Sequence, residues 1–437
     1  MGNKKTGGRE AGNVRIEQIC ETRPFENGSG PEWDRGNAHM IRVGDRVFIT
    51  NAHVHADRLP FNHTTMELWE KKDGGPWRKV FEDDSGFQRE PCPMAYLGGG
   101  LLAVTVNPTA RSYAKDEPSR VVESVPMMHI LDVSGEVKKA DTIRLQWDAA
   151  QHRFLDHSYR SMAADPQTGD LFLTNIDYNG EEEHLFTLLD KDMHCRKTGR
   201  LRFPQRSCYH NIAMKGGEIY LFAVQDIVEP NEEWKAYKRK MTGNEWDFDF
   251  RTIYLNYCPD IREGDFEPSQ VVCHRENTCG WVANLDCCFD RNGDMLLLAS
   301  QRNIAHAFMQ EPFFPDTPLE LCLEVFRYSH GRLVERTVVD STTEDEKHSE
   351  YGGYFHTAAD GSVYLVWSKK TGCRDVGLGT GMYLSRTADL KAAPVKLSDE
   401  FGMPFGCKTR LGAAPCDTID CYWTRDNRQI MYGTHAL

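Results

Sequence analysis

The sequence predicts an all-β chain, a seven-bladed β-propeller forming one domain over residues 14–437. Three observations predict it. A turn-and-strand unit recurs seven times. A second hairpin follows most copies. The last copy is one strand short, while a spare strand stands near the start.

In chain order, residues 1–13 are polar and Gly-rich and are expected to be disordered. Residues 14–20, VRIEQIC, read as a strand with no blade of its own. The repeat is clearest at residues 157–177, HSYRSMAADPQTGDLFLTNID. Its small residues, 161–165, suit a crowded axis. The turn PQTGD carries the Gly and Asp that a reversal needs, and LFLTNI follows as an apolar strand. The first apolar residue of that strand, Leu171, has counterparts at Val47, Leu101, Ile219, Met295, Val363 and Ile419. Second hairpins such as MELWEKKDGGPWRKVF and CLEVFRYSHGRLVERTVV alternate around a polar or Gly turn. After residues 429–433 the chain ends without a fourth strand. Pairing it with residues 14–20 would close the ring and cover an edge.

Composition narrows the function. The formal charge is −13, from 52 Lys and Arg against 65 Asp and Glu. An acidic chain is a poor binder of duplex nucleic acid, which wants an extended basic surface. No apolar span approaches a membrane helix and no hydrophobic leader is seen, so the expected location is the cytoplasm, or outside the cell if a leader has been removed. The 14 cysteines show no paired zinc-ribbon spacing and read as free buried thiols.

In a propeller, loops entering innermost strands and loops leaving second strands open on one face, around the axial channel. The residues at those positions are mostly basic or aromatic. His157, Tyr159, Arg160 and His210 are the catalytic candidates. His53, His55, Arg111, Tyr209, Trp281, Arg302, Tyr354, His356, Lys408 and Arg410 are the binding candidates. Each also has a packing reading, because polar groups at strand ends often bond loop backbones. A cationic, aromatic funnel in an acidic protein suits an anionic saccharide. His53 and His55 alternate on an extended segment and share a side. With further histidines converging, that leaves open a manganese or zinc site. The insertion EPNEEWKAYKRKMTGNEWDFDF reads as a surface excursion or as a wall of the cleft.

The turns DPQTGDLFL, DRNGDMLLL and ADGSVYLVW, spread over most of the chain, resemble those of the BNR-like seven-bladed propellers. That group includes ulvan-lyase-like polysaccharide lyases and related glycosidases. The sialidase Asp-box, Ser-x-Asp-x-Gly-x-Thr-Trp, is missing. The resemblance implies His, Tyr and Arg chemistry around the channel, matched in type and blade position by His157, Tyr159, Arg160 and His210. The leading expectation is therefore a lyase that cleaves a uronate-containing saccharide by β-elimination. A His acts as base, a Tyr as acid, and an Arg neutralises the carboxylate. The alternatives are a glycoside hydrolase using Asp177, Asp226 or Glu350, and a non-catalytic propeller that binds sugar or protein.

Overall fold

The computed structural model describes residues 14–437 except 34–35, 59–60, 73, 113, 117–121, 149–151, 180–182, 245–247, 344–349, 371–379, 400–401 and 427. The tail 1–13, expected to be disordered, lies outside the described residues. Seven four-stranded sheets form the blades. Their innermost strands are Met40–Val43, Met94–Gly98, Ser161–Ala164, Ser207–Lys215, Trp281–Phe289, Glu350–Thr357 and Phe405–Gly406. Each packs on the next, and the seventh returns to the first. The second strands begin at Arg46, Leu101, Leu171, Glu218, Met295, Val363 and Thr418, within one residue of each mark in the sequence. The ring closes as expected: Arg15–Glu21 forms the outer strand of the last sheet, with Ile16 opposite Gly433 and Gln18 opposite Met431.

The strand Leu171–Asp177 is buried along its whole length because blades cover both its faces. Side chains alternate across a strand, so Leu171 and Leu173 pack in one core cluster and Phe172 in another. The Asp that heads the turn caps it. Asp165 Oδ1 accepts from Gln167 N (2.8 Å), and Gly169 adopts φ +77°. Asp165 also accepts from Gly216 N and Gly217 N of the next blade, which fastens the two blades together. Asp290 and Asp360 cap their own turns in the same way.

The insertion is a helix, Glu232–Thr242, between the short strands Ile227–Val228 and Phe248–Asp249. Asn231 caps its start by accepting from Glu233 N and Trp234 N, and Gly243 ends it at φ +74°. Trp234 and Tyr237 pack on Phe314 and Phe313. Buried Lys238 bonds Glu229 (2.8 Å) and Asp249 (3.0 Å), tying the helix to its base. No helix of the described residues is long and apolar enough to cross a membrane. The described cysteines are free thiols, most of them buried.

Candidate functional site

On the face where the innermost strands begin, Trp33, Tyr209, Phe250 and Trp281 line a cavity of about 380 Å³, together with Glu32 and Asn284. Trp33 meets Tyr209 edge-on at 5.7 Å, and Tyr209 lies 5.9 Å from Phe250. Phe250 is delivered by the chain returning from the insertion, which therefore supplies part of the wall. Trp33 Nε1 is a buried donor with no hydrogen-bond partner among the described residues.

A β-bulge aims Tyr209. Cys208 pairs with Val224 and Asn211 with Phe222, so Tyr209 and His210 together face the single residue Ala223. Tyr209 takes φ +52°, and Asn284 Nδ2 donates to its carbonyl (2.6 Å). The extra residue turns Tyr209 into the cup and sends His210 sideways. His210 is 0% exposed, its Nδ1 is 3.0 Å from Thr174 Oγ1, and its ring lies 4.3 Å from His184. Burial, then the neighbouring His184, holds its imidazole well below the usual range. The expectation that His210 is the channel base is therefore corrected: it is a packed residue between the third and fourth blades.

His157 and Tyr159 stand behind the cup wall. The His157 ring lies 5.5 Å from Trp33, and Tyr159 meets Tyr209 at 5.1 Å. His157 Nδ1 is 2.6 Å from Glu90 Oε1, and its Nε2 is 2.9 Å from the Tyr159 oxygen. Glu90, 4% exposed, also accepts from Ser158 Oγ (2.8 Å) and Ser158 N (3.2 Å). Burial pushes the Glu90 carboxyl up. The charge and hydrogen bond of His157, with Arg160 and Arg89, outweigh that and hold it below the usual range. An ionised carboxylate only accepts, so the His157 proton sits on Nδ1. In the neutral form of the ring, Nε2 is then an acceptor for the Tyr159 hydroxyl. Burial pushes the Tyr159 phenol well above its usual range and keeps it protonated. Tyr159 also takes a strained φ of +43°. Arg206, paired with Asp226, lies 5.7 Å over its ring.

The other sequence candidates divide. Trp281 and Arg302 come together at the cup, the guanidinium 5.8 Å from the indole. Arg160 does not face a ligand. It donates to Ser158 Oγ, Thr105 O and Pro91 O, and so clamps the second blade to the third. Lys408 and Arg410 are spent on the axis: Asp286 lies 3.4 Å from Lys408 Nζ and 3.0 Å from Arg410 Nε, all buried. Burial pulls the Lys408 ammonium down to about 8, against the pull of Asp286. Tyr354 is buried and donates to Asp420 O (2.8 Å). His356 sits at the far end of its strand, its Nε2 2.7 Å from Cys416 O, so it belongs to the opposite face. Arg111 is exposed on an outer loop, where it donates to Ser112 O. His53 and His55 do share a side, with ring centroids 4.8 Å apart, but they lie against Glu67 and Thr65 rather than against His157 or His210. Among the described residues no three His, Cys, Asp or Glu side chains form a group able to hold a metal. The manganese or zinc site that the sequence left open therefore finds no such cluster among the described residues.

Sequence reasoning missed Glu90, Glu32 and Phe250. Glu90 does stand at the entry to an innermost strand, the position that signalled the other candidates.

No family profile matches the chain, and no curated protein matches it in sequence. The chain is similar to several solved structures at TM-scores below 0.5. One is a puromycin-hydrolysing peptidase from Mycobacterium tuberculosis (9% identity, TM-score 0.46), matched over 95% of this chain and 53% of its own, so this chain spans about half of it. Another is an α-L-arabinanase from Penicillium chrysogenum (8%, TM-score 0.41), matched over 96% of this chain and 98% of its own. A sialidase from Trypanosoma rangeli (9%, TM-score 0.40) is matched over 81% and 52%. At such identity the likeness concerns the fold alone.

Proposed function

We propose that the protein is a carbohydrate-active enzyme that cleaves a uronate-containing saccharide by β-elimination at the aromatic cup. The observation that carries the reading is the Glu90–His157–Tyr159 hydrogen-bonded chain standing against Trp33 and Tyr209. Flat aromatic faces suit sugar rings, and the Trp33 indole N–H suits a sugar oxygen. His157 keeps 23% of its side chain exposed. Its Nε2 takes the C5 proton as it gives up the Tyr159 hydroxyl, which turns to the leaving oxygen. The C5–H electron pair forms the C4=C5 double bond as the C4–O bond breaks. Tyr159 gives its proton to the leaving oxygen. His157 Nε2–H then returns a proton to the Tyr159 oxygen 2.9 Å away, and the site is reset. Arg302 at the cup edge supplies positive charge for the substrate carboxylate, while Arg206 over Tyr159 is paired with Asp226.

Support for elimination over hydrolysis comes from the carboxylates. Hydrolysis usually needs two flanking the bond; Glu90 and Asp226 behind the wall are taken up by His157 and Arg206, and among the described residues that line the cup Glu32 is the one carboxylate. The test is incubation with uronate oligosaccharides while following the absorbance of the unsaturated uronate. A lyase produces the chromophore. New reducing ends without it would replace this reading with hydrolysis, and neither product would mark a binding protein.

A further inference from the structure

A second cavity, of about 360 Å³, opens between the second and third blades on the same face as the cup. Trp147 meets Phe154 at 5.2 Å, and His152 lies 4.7 Å from Phe154. Arg144 and Arg153 line the cavity, both exposed, with Glu123 3.5 Å from the Arg153 guanidinium. Ser124 is 7% exposed, and its hydroxyl has no hydrogen-bond partner among the described residues. The relay uses none of these groups. The wall of this cavity nevertheless runs on to the relay. Tyr178 N donates to Arg153 O (2.9 Å), and Tyr178 Oη donates to His157 O (2.8 Å). Phe154 and His157 are three residues apart, so their Cα atoms lie within roughly 11 Å.

We propose that this cavity is a second saccharide subsite, which holds an acidic sugar of the same chain whose reacting bond lies at the cup. The inference rests on the saccharide reading above. Trp147 offers the stacking face, Arg144 and Arg153 meet the carboxylate, and the Ser124 hydroxyl takes a ring oxygen. The chain of sugars would run outward from the axis along the seam between two blades. An enzyme with only the cup would treat long and short substrates alike. One with both sites should favour the long.

The test is calorimetric binding of disaccharides and hexasaccharides containing galacturonate, mannuronate or glucuronate. His157→Ala protein serves as the background, so that the ligand is not cut. Trp147→Ala and Arg144→Gln are each expected to weaken hexasaccharide binding about tenfold, the scale of one stacking or charged contact. Disaccharide binding should be unchanged in both, as should the melting temperature of Arg144→Gln; Trp147→Ala loses a packed ring and is read per folded molecule. Hexasaccharide affinity that is equal with and without these changes overturns the subsite and leaves the cup reading standing. Affinity lost as expected, with no chromophore from the wild type, keeps the subsite and removes the elimination chemistry. No binding of any hexasaccharide overturns both.

Discussion

Replacing Glu90 by Gln removes one charge and almost no volume. The carboxylate accepts from His157 Nδ1, Ser158 N and Ser158 Oγ in a site closed to solvent. A Gln oxygen can keep the Ser158 bonds, but its amide donates where His157 also donates. His157 must then turn over or move its proton to Nε2, and either change ends its role as acceptor for Tyr159. Loss of a positioned general base costs about 10²–10⁴ in rate, or about 3–5 kcal/mol of barrier. The stability cost of the mispaired buried groups is about 1–3 kcal/mol. The sign with pH follows from the lowered carboxyl. The unfolded chain's Glu takes up a proton below about 4.3, while the folded one resists. The wild type's advantage is therefore full above that pH and is lost as pH falls through the folded value. The assay is turnover of uronate oligosaccharide by Glu90→Gln, with melting curves from neutral to acid pH. Wild-type turnover in a folded variant would refute the relay.

His210→Asn should lower the melting temperature and leave turnover per folded molecule intact, since the ring packs between blades; a selective loss of turnover would return His210 to the chemistry. Asp286→Asn leaves Lys408 and Arg410 buried without their anion and should cost about 3–5 kcal/mol, read by denaturant unfolding; an unchanged midpoint would mean that the axis is wetter than described. Deleting residues 1–21 removes the outer strand of the last blade and bares the edge Gln429–Ala436, so melting temperature should fall and self-association rise; an unaltered, monomeric ring would show closure without it.

Most of the fold was legible because its signals are local. An Asp-headed turn with a positive-φ Gly, as at Asp165 and Gly169, needs the same residues wherever it occurs. The unpaired runs at the two ends could pair only with each other. The site was legible in part, since blade geometry turns chain position into location. Tyr209 and Trp281 line the cup, Arg302 lies beside Trp281, and His157 and Tyr159 stand behind the wall. The misses share a cause. Its place at the head of an innermost strand assigns His210 to the channel mouth, and one bulged residue turns it away. Arg160, Lys408 and Arg410 do approach the axis, yet a narrow axis must neutralise its own charges, and the sequence does not say which cation meets Asp286 or a buried carbonyl. Glu90, at the entry to an innermost strand, was passed over there in favour of basic and aromatic residues. The cup needs Phe250, which arrives only after the insertion has folded back.

The most direct test of the central claim is a crystal structure of the His157→Ala protein soaked with a uronate oligosaccharide that the wild type cleaves. The account predicts one sugar ring in the cup that Trp33 and Tyr209 line, its C5 hydrogen facing the space left by the imidazole and its C4 oxygen within about 3.5 Å of the Tyr159 hydroxyl. A saccharide seated on the opposite face of the ring, beside His356, or one whose C5 points away from Tyr159, would contradict it.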